Sequence, residues 1–142
     1  MEKEVILNAA PGCVWSALTD PTTLKNWVMG LEVTSDWVKG GSIVWRGSIG
    51  GRDVTHIGTV LEVMPGMMLL FTDFGSELGL KDIPENYTRI TYYLQPDGSG
   101  TRLKVTEDHF NGDRKRCEDA EVFWGSVLKD LKKLVEQLKS LS

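Results

Sequence analysis

Apolar residues recur along this chain with two different periods, and the changes between them divide it into three parts. Residues 3–7 alternate as a first strand that Pro11 ends, after which Val14, Trp15 and Leu18 recur at helical spacing. Asp20 is a good N-cap and Pro21 suits a first helical position, so the spacing predicts a second short helix over 22–27 that stops near Gly30. From Leu31 to Phe110 the period becomes two, broken by Gly40-Gly41, Gly50-Gly51, Pro65-Gly66 and Asp97-Gly98-Ser99-Gly100. These breaks read as strand connections. Ile43, Trp45 and Ile49 alternate with Val44, Arg46 and Ser48, while Ile90, Tyr92 and Leu94 alternate with Arg89, Thr91 and Tyr93, so one face of the sheet is apolar. The link between residues 73 and 86 is long for a hairpin and reads as a lid over a pocket.

The helical period returns over 114–141, where Ala120, Phe123, Val127, Leu131, Leu134, Leu138 and Leu141 fall on one stripe. At about 1.5 Å per residue such a helix is roughly 40 Å long, enough to cross a whole sheet. Its stripe needs cover, and the apolar face of the antiparallel sheet is the natural partner. Neither a boundary, a repeat nor a low-complexity tract interrupts the 142 residues, so a single α+β domain over 1–142 is expected.

Composition narrows the partners. With 41% hydrophobic and 25% charged residues the chain has the make-up of a globular protein. A net charge of -4 and a pI near 5.2 argue against nucleic acid, which requires a clustered basic surface. The start MEKEVILNAAP has no basic region followed by a long apolar core, and no run approaches the roughly 18 to 20 apolar residues of a membrane span. A cytoplasmic location is expected. In that compartment Cys13 and Cys117 are expected as free thiols.

Five segments in order, VWSALTDPTTLKNW, SDWVKGGSIVWRG, GTVLEVMPG, PENYTRITYYL and GSGTRLKVTEDHF, resemble the START-like (SRPBCC) superfamily, in the branch of activator-of-heat-shock-ATPase homologues with its polyketide-cyclase-like relatives. The resemblance covers nearly the whole chain. It implies a helix-grip fold: a curved antiparallel β-sheet wrapped around a long C-terminal α-helix, with two short helices after the first strand. It also implies a cavity between sheet and helix that takes an apolar small molecule. The co-chaperone activators of this branch engage their chaperone through a separate domain, for which 142 residues leave no room.

Trp27, Trp45 and Trp124, with Phe71, Tyr92 and Phe123, are candidate ligand contacts, because aromatics offer large contact area to flat or aliphatic molecules. Core packing is the alternative, and is favoured for Trp15. Alternation continued from Leu103 and Val105 places Glu107 and His109 on the apolar face, where a buried carboxyl and an imidazole would orient a polar ligand group or act as an acid–base pair. A strand end or bulge near Thr106 would instead leave both in solvent. His56 shares its register with Glu62 and reads as an outer-face residue. Two histidines so placed, with no close cysteine, make no metal site, and the glycines of KGGSIVWRGSIGG lack the lysine and helix of a phosphate loop. No cofactor is implied. Arg46, Lys129, Lys132, Lys133 and Lys139 read as solvated.

The leading expectation is a non-enzymatic protein that binds an apolar or aromatic small molecule. Two alternatives stand beside it: a cyclase- or hydrolase-type enzyme using Glu107 and His109, and a chaperone-related interaction module presenting Leu78, Leu80 and Ile83. Oligomeric state stays open.

Overall fold

The computed structural model describes residues 1–141, with side chains through Leu138; the side chains of Lys139 and Leu141 lie outside the described residues. Strand β1 (Glu2–Leu7) leads into α1 (Pro11–Thr19) and α2 (Pro21–Leu24). Strands β2 (Glu32–Thr34), β3 (Ser42–Ile49), β4 (Arg52–Met64), β5 (Met68–Gly75), β6 (Thr88–Asp97) and β7 (Gly100–Asp108) follow, and α3 (Arg114–Leu141) closes the chain. Among the described residues these strands form one curved sheet of seven, all neighbours antiparallel, in the order β1-β7-β6-β5-β4-β3-β2. The expected α+β arrangement is the one observed.

Asp20 caps α2 as expected, its Oδ2 accepting from Thr23 N at 3.1 Å and from Thr23 Oγ1 at 2.7 Å. The helix is shorter than the pattern suggests. Regular turns end at Leu24, and the chain coils on to Gly30 through Met29, whose φ of 50° lies outside the helical region and cannot prolong it. Trp27 sits at that coil, 2% exposed, and its Nε1 donates to Ala17 O at 2.8 Å, tying the coil to α1.

Helix α3 begins where Asp113 Oδ1 accepts from Arg116 N at 3.0 Å. Its buried stripe is Ala120, Trp124, Val127, Leu128, Leu131 and Val135, at steps of one, three and four, with Phe123 and Leu134 half-buried beside it. Leu138 is 38% exposed and lies past the end of the covered surface. The stripe shares one hydrophobic cluster with Leu69 and Phe71 of β5, Ile90, Tyr92 and Leu94 of β6, and Leu103 and Val105 of β7. The curved sheet therefore grips the helix.

Strand β4 is the element that shapes this grip. Its 13 residues pair with β3 on one side and β5 on the other, but the ladder to β5 slips by one residue between Val60 and Glu62. Leu61 is the inserted residue of a β-bulge, which adds twist and reverses the in–out alternation beyond it. Just before it, β4 approaches β5 so closely that a Cβ at Gly58 would stand 1.8 Å from Thr72 O. Glycine alone fits there.

Substituting Gly58→Ala should therefore lower stability in chemical denaturation by about 1–3 kcal/mol or more, the range for forcing atoms into packed space. Gly12→Ala in α1 is the control: an added Cβ there meets nothing within 4 Å, and stability should hold or rise.

Candidate functional site

A cavity of about 550 Å³ lies between the concave sheet face and α3, lined also by the coil after α2 and the segment after β5. Its apolar wall is aromatic. Trp45 of β3 lies 5.6 Å from Phe71, Phe71 lies 5.5 Å from Tyr92, Tyr92 lies 6.0 Å from Trp124, and Trp124 lies 5.2 Å from Phe123, all measured between ring centroids. The last three contacts are edge-on, the arrangement that ring quadrupoles favour. Trp27 and Trp37 complete the lining with Leu18, Leu24 and Leu31. Six residues singled out from sequence, Trp27, Trp45, Phe71, Tyr92, Phe123 and Trp124, thus line one cavity from the sheet, the helix and the coil after α2. Trp37 is the strained member, with φ at 57° and a buried Nε1 that has no acceptor among the described residues.

Glu107 and His109 part company. Strand β7 runs to Asp108, so alternation carries Glu107 inward to 8% exposure, in the cavity wall. Its Oε1 accepts from Trp124 Nε1 at 2.8 Å, and Oε2 lies 2.7 Å from Thr88 Oγ1. Burial raises the carboxyl above its ordinary range, the Trp124 and Thr88 hydrogen bonds oppose that, Asp73 adds to it and Arg116 opposes it. His109 falls just past the strand end with φ at 66°, which turns the backbone over. Its ring is exposed and its Nδ1 lies 2.6 Å from Asp108 Oδ1, outside the cavity. The proposed Glu107–His109 pair is not assembled.

The histidine that does reach the cavity is His56, which the sequence pattern had assigned to the outer face. The Leu61 bulge explains the reversal: Val54, His56, Gly58 and Val60 share the inner face before it, and Glu62 points outward only after it. The adjacent apolar pair Val60-Leu61 was the signal available in the sequence. His56 Nδ1 lies 2.9 Å from Asp73 Oδ1 of β5, and Nε2 lies 2.6 Å from Glu77 Oε1 in the short 3-10 turn Ser76–Leu78. Gly75 makes room, since a Cβ there would be 2.6 Å from Nε2. Burial disfavours the charged ring, but the Asp73 hydrogen bond and charge together with those of Glu77 outweigh it and raise the imidazole to about 9. Both ring nitrogens are donors in that state, so His56 holds no lone pair for use as a base.

Elsewhere on the polar side of the cavity, Lys115 pairs with Asp119 at 3.1 Å and Arg116 Nη1 donates to Asn86 O at 2.6 Å. In all, five carboxyl groups line it (Asp73, Glu77, Glu107, Asp113, Asp119) against three basic groups (His56, Lys115, Arg116). Among the described residues, no group of three or more His, Cys, Asp or Glu side chains is arranged to hold a metal ion. In the segment after β5, Leu78 faces the cavity, while Leu80 and Ile83 are each 40% exposed. Cys13 and Cys117 are unpaired. No helix among the described residues is long and apolar enough to cross a membrane.

A sheet of seven antiparallel strands gripping a C-terminal helix, with short helices after the first strand, is the helix-grip architecture of the START-like superfamily. Within it, the family described as activator of Hsp90 ATPase homolog 1-like protein matches residues 8–136, and the chain belongs to that family. The solution structure of ChR145 from Cytophaga hutchinsonii is similar at 32% identity and a TM-score of 0.81, covering 98% of this chain and 94% of that one. Crystal structures of MLL2253 from Mesorhizobium loti (22% identity, TM-score 0.81, 96% of each chain) and NE0264 from Nitrosomonas europaea (25%, 0.78, 96% of this chain and 94% of that one) share the fold. No curated protein matches the chain.

The His56 ion pairs make stability depend on pH with a definite sign. The folded imidazole, at about 9, lies above its unfolded value of 6.5, so the contribution is complete below 6.5 and fades as pH rises toward 9. After discounting for the partly exposed Glu77, about 2–3 kcal/mol should be lost across that window. Denaturant titrations at pH 6 and pH 9 should show this loss in the parent chain and little of it in His56→Gln.

Proposed function

We propose that this chain is a small-molecule binding protein that holds a hydrophobic, aromatic or aliphatic ligand between its sheet and its terminal helix. The observation that carries the reading is the space itself: about 550 Å³ stays open beside Trp45, Tyr92 and Trp124, side chains large enough to have filled it. A volume of that size matches small-ligand pockets, which range over roughly 300–1,000 Å³. Trp27, Phe71 and Phe123 supply further flat contact area, and Glu107 places one polar group in the wall to orient the ligand. His109 has no part in this site. An enzyme built on a Glu107–His109 pair loses its support with the exposure of His109, and the chaperone-related module rests only on Leu80 and Ile83.

Ala120 of α3 lines the cavity at 8% exposure and offers a way to fill it. The neutral fluorescent probe N-phenyl-1-naphthylamine should bind saturably with one site per chain. Ala120→Trp should weaken that binding by at least tenfold while the circular dichroism spectrum is kept. Absence of saturable binding, or equal binding by the folded Ala120→Trp variant, would overturn the reading.

A further inference from the structure

We infer that the cavity selects an organic cation, an amine or quaternary ammonium carried on an apolar body, over a neutral or acidic ligand of the same shape. The inference rests on the binding reading above and adds the charge of the ligand to it. Two independent features point the same way. The aromatic side chains from Trp45 through Phe71 and Tyr92 to Trp124 line the cavity, and a cation's attraction to ring quadrupoles grows once water is excluded. The polar end carries five carboxyl groups against three basic ones; His56 is held between two carboxylates, Lys115 pairs with Asp119, and Arg116 gives one N–H to the Asn86 carbonyl. An anionic head group would be repelled by that surplus of carboxyl groups, whereas an ammonium is attracted by it.

Hydrogen-bond arithmetic at Glu107 extends the argument. Thr88 Oγ1 lies 2.7 Å from Glu107 Oε2 and 3.4 Å from Asp73 O, yet a hydroxyl has one proton to give. If Glu107 is protonated on Oε2, it donates to Thr88, Thr88 donates to the Asp73 carbonyl, and Trp124 Nε1 still donates to Oε1, so each partner is satisfied. The charged groups around this carboxyl are Asp73 on β5 and Arg116 on α3, with the phenol of Tyr92 on β6 and the Met1 ammonium 3.0 Å from the Glu107 carbonyl. A cation entering the cavity favours the carboxylate, so a proton held on Glu107 Oε2 is released to solvent on binding.

The test uses three ligands with one aromatic body: 2-naphthylmethylamine, 2-naphthylmethanol and 2-naphthoate. By calorimetry at neutral pH the amine should bind at least tenfold more tightly than the alcohol, with the acid weakest. Measured in buffers of different ionisation enthalpy, amine binding should release up to one proton. Glu107→Gln keeps hydrogen-bonding capacity toward Trp124 and Thr88; it should abolish the release and cut amine affinity about tenfold, a larger loss than it causes for the alcohol. Asp73→Asn should also reduce the preference. Alcohol or acid binding as tightly as amine, while N-phenyl-1-naphthylamine still binds, would overturn the cation assignment alone. Failure of all three ligands together with the neutral probe would overturn the binding reading and this inference with it.

Discussion

The bend in β4 is the constraint on which the rest of the structure depends. At Gly58 the strand lies against the Thr72 carbonyl with no room for a side chain, and at Leu61 an extra residue enters the ladder. Bulges of this kind increase local twist, and a more strongly curled sheet can wrap a helix where a flat one would only lie against it. The same inserted residue decides which side chains face the helix. Before it, Val54, His56 and Val60 point inward; without it, His56 and Glu62 would share a face, and the polar end of the cavity would have no imidazole.

Curvature alone does not leave a cavity, because an apolar concavity of this size would ordinarily be filled by side chains. Here the aromatic rings stand along the wall, each braced by its neighbour, from Trp45 through Phe71, Tyr92 and Trp124 to Phe123. Further along α3, Val127, Leu131 and Val135 are fully or almost fully buried against the sheet, so the helix is anchored at that end while the cavity occupies the other. Packing and cavity lining are thus divided along one helix. Ala120, a small residue on the buried stripe, helps keep the space open.

The sequence made the architecture legible where a single periodicity governed a segment. The burial of Ala120, Val127 and Leu131 on α3, the alternation of Ile90, Tyr92 and Leu94, and the Asp20-Pro21 helix start all depend on local spacing, and all are found in the structure. The aromatic wall was legible for the same reason, since Trp45 and Trp124 follow from facing elements. What failed depended on an interruption of period. Alternation carried through the Val60-Leu61 pair puts His56 outside because it misses the inserted residue. Alternation carried past Asp108 puts His109 inside, and a strand end near Thr106 puts Glu107 outside, whereas the strand ends between the two at a backbone reversal of φ 66°. Glu77 was not foreseen as its partner, because a turn outside both periods delivers it to His56. Trp37, held at φ 57°, lay beyond periodic reasoning for the same cause.

Two ionisable groups in one cavity are driven in opposite directions by their surroundings. Burial disfavours charge on both His56 and Glu107, yet His56 has carboxylates at each nitrogen and Glu107 has mainly neutral donors. Direct ion pairs overcome desolvation at the first, while hydrogen bonds from an indole and a hydroxyl only moderate it at the second. The imidazole is therefore a charge that fastens the turn after β5 to the sheet, and the carboxyl is a buried group that no direct ion pair holds ionised. His56 on β4 and Glu107 on β7 stand three strands apart in the sheet, so the paired charge and the carboxyl held by neutral donors enter the cavity lining from separate strands.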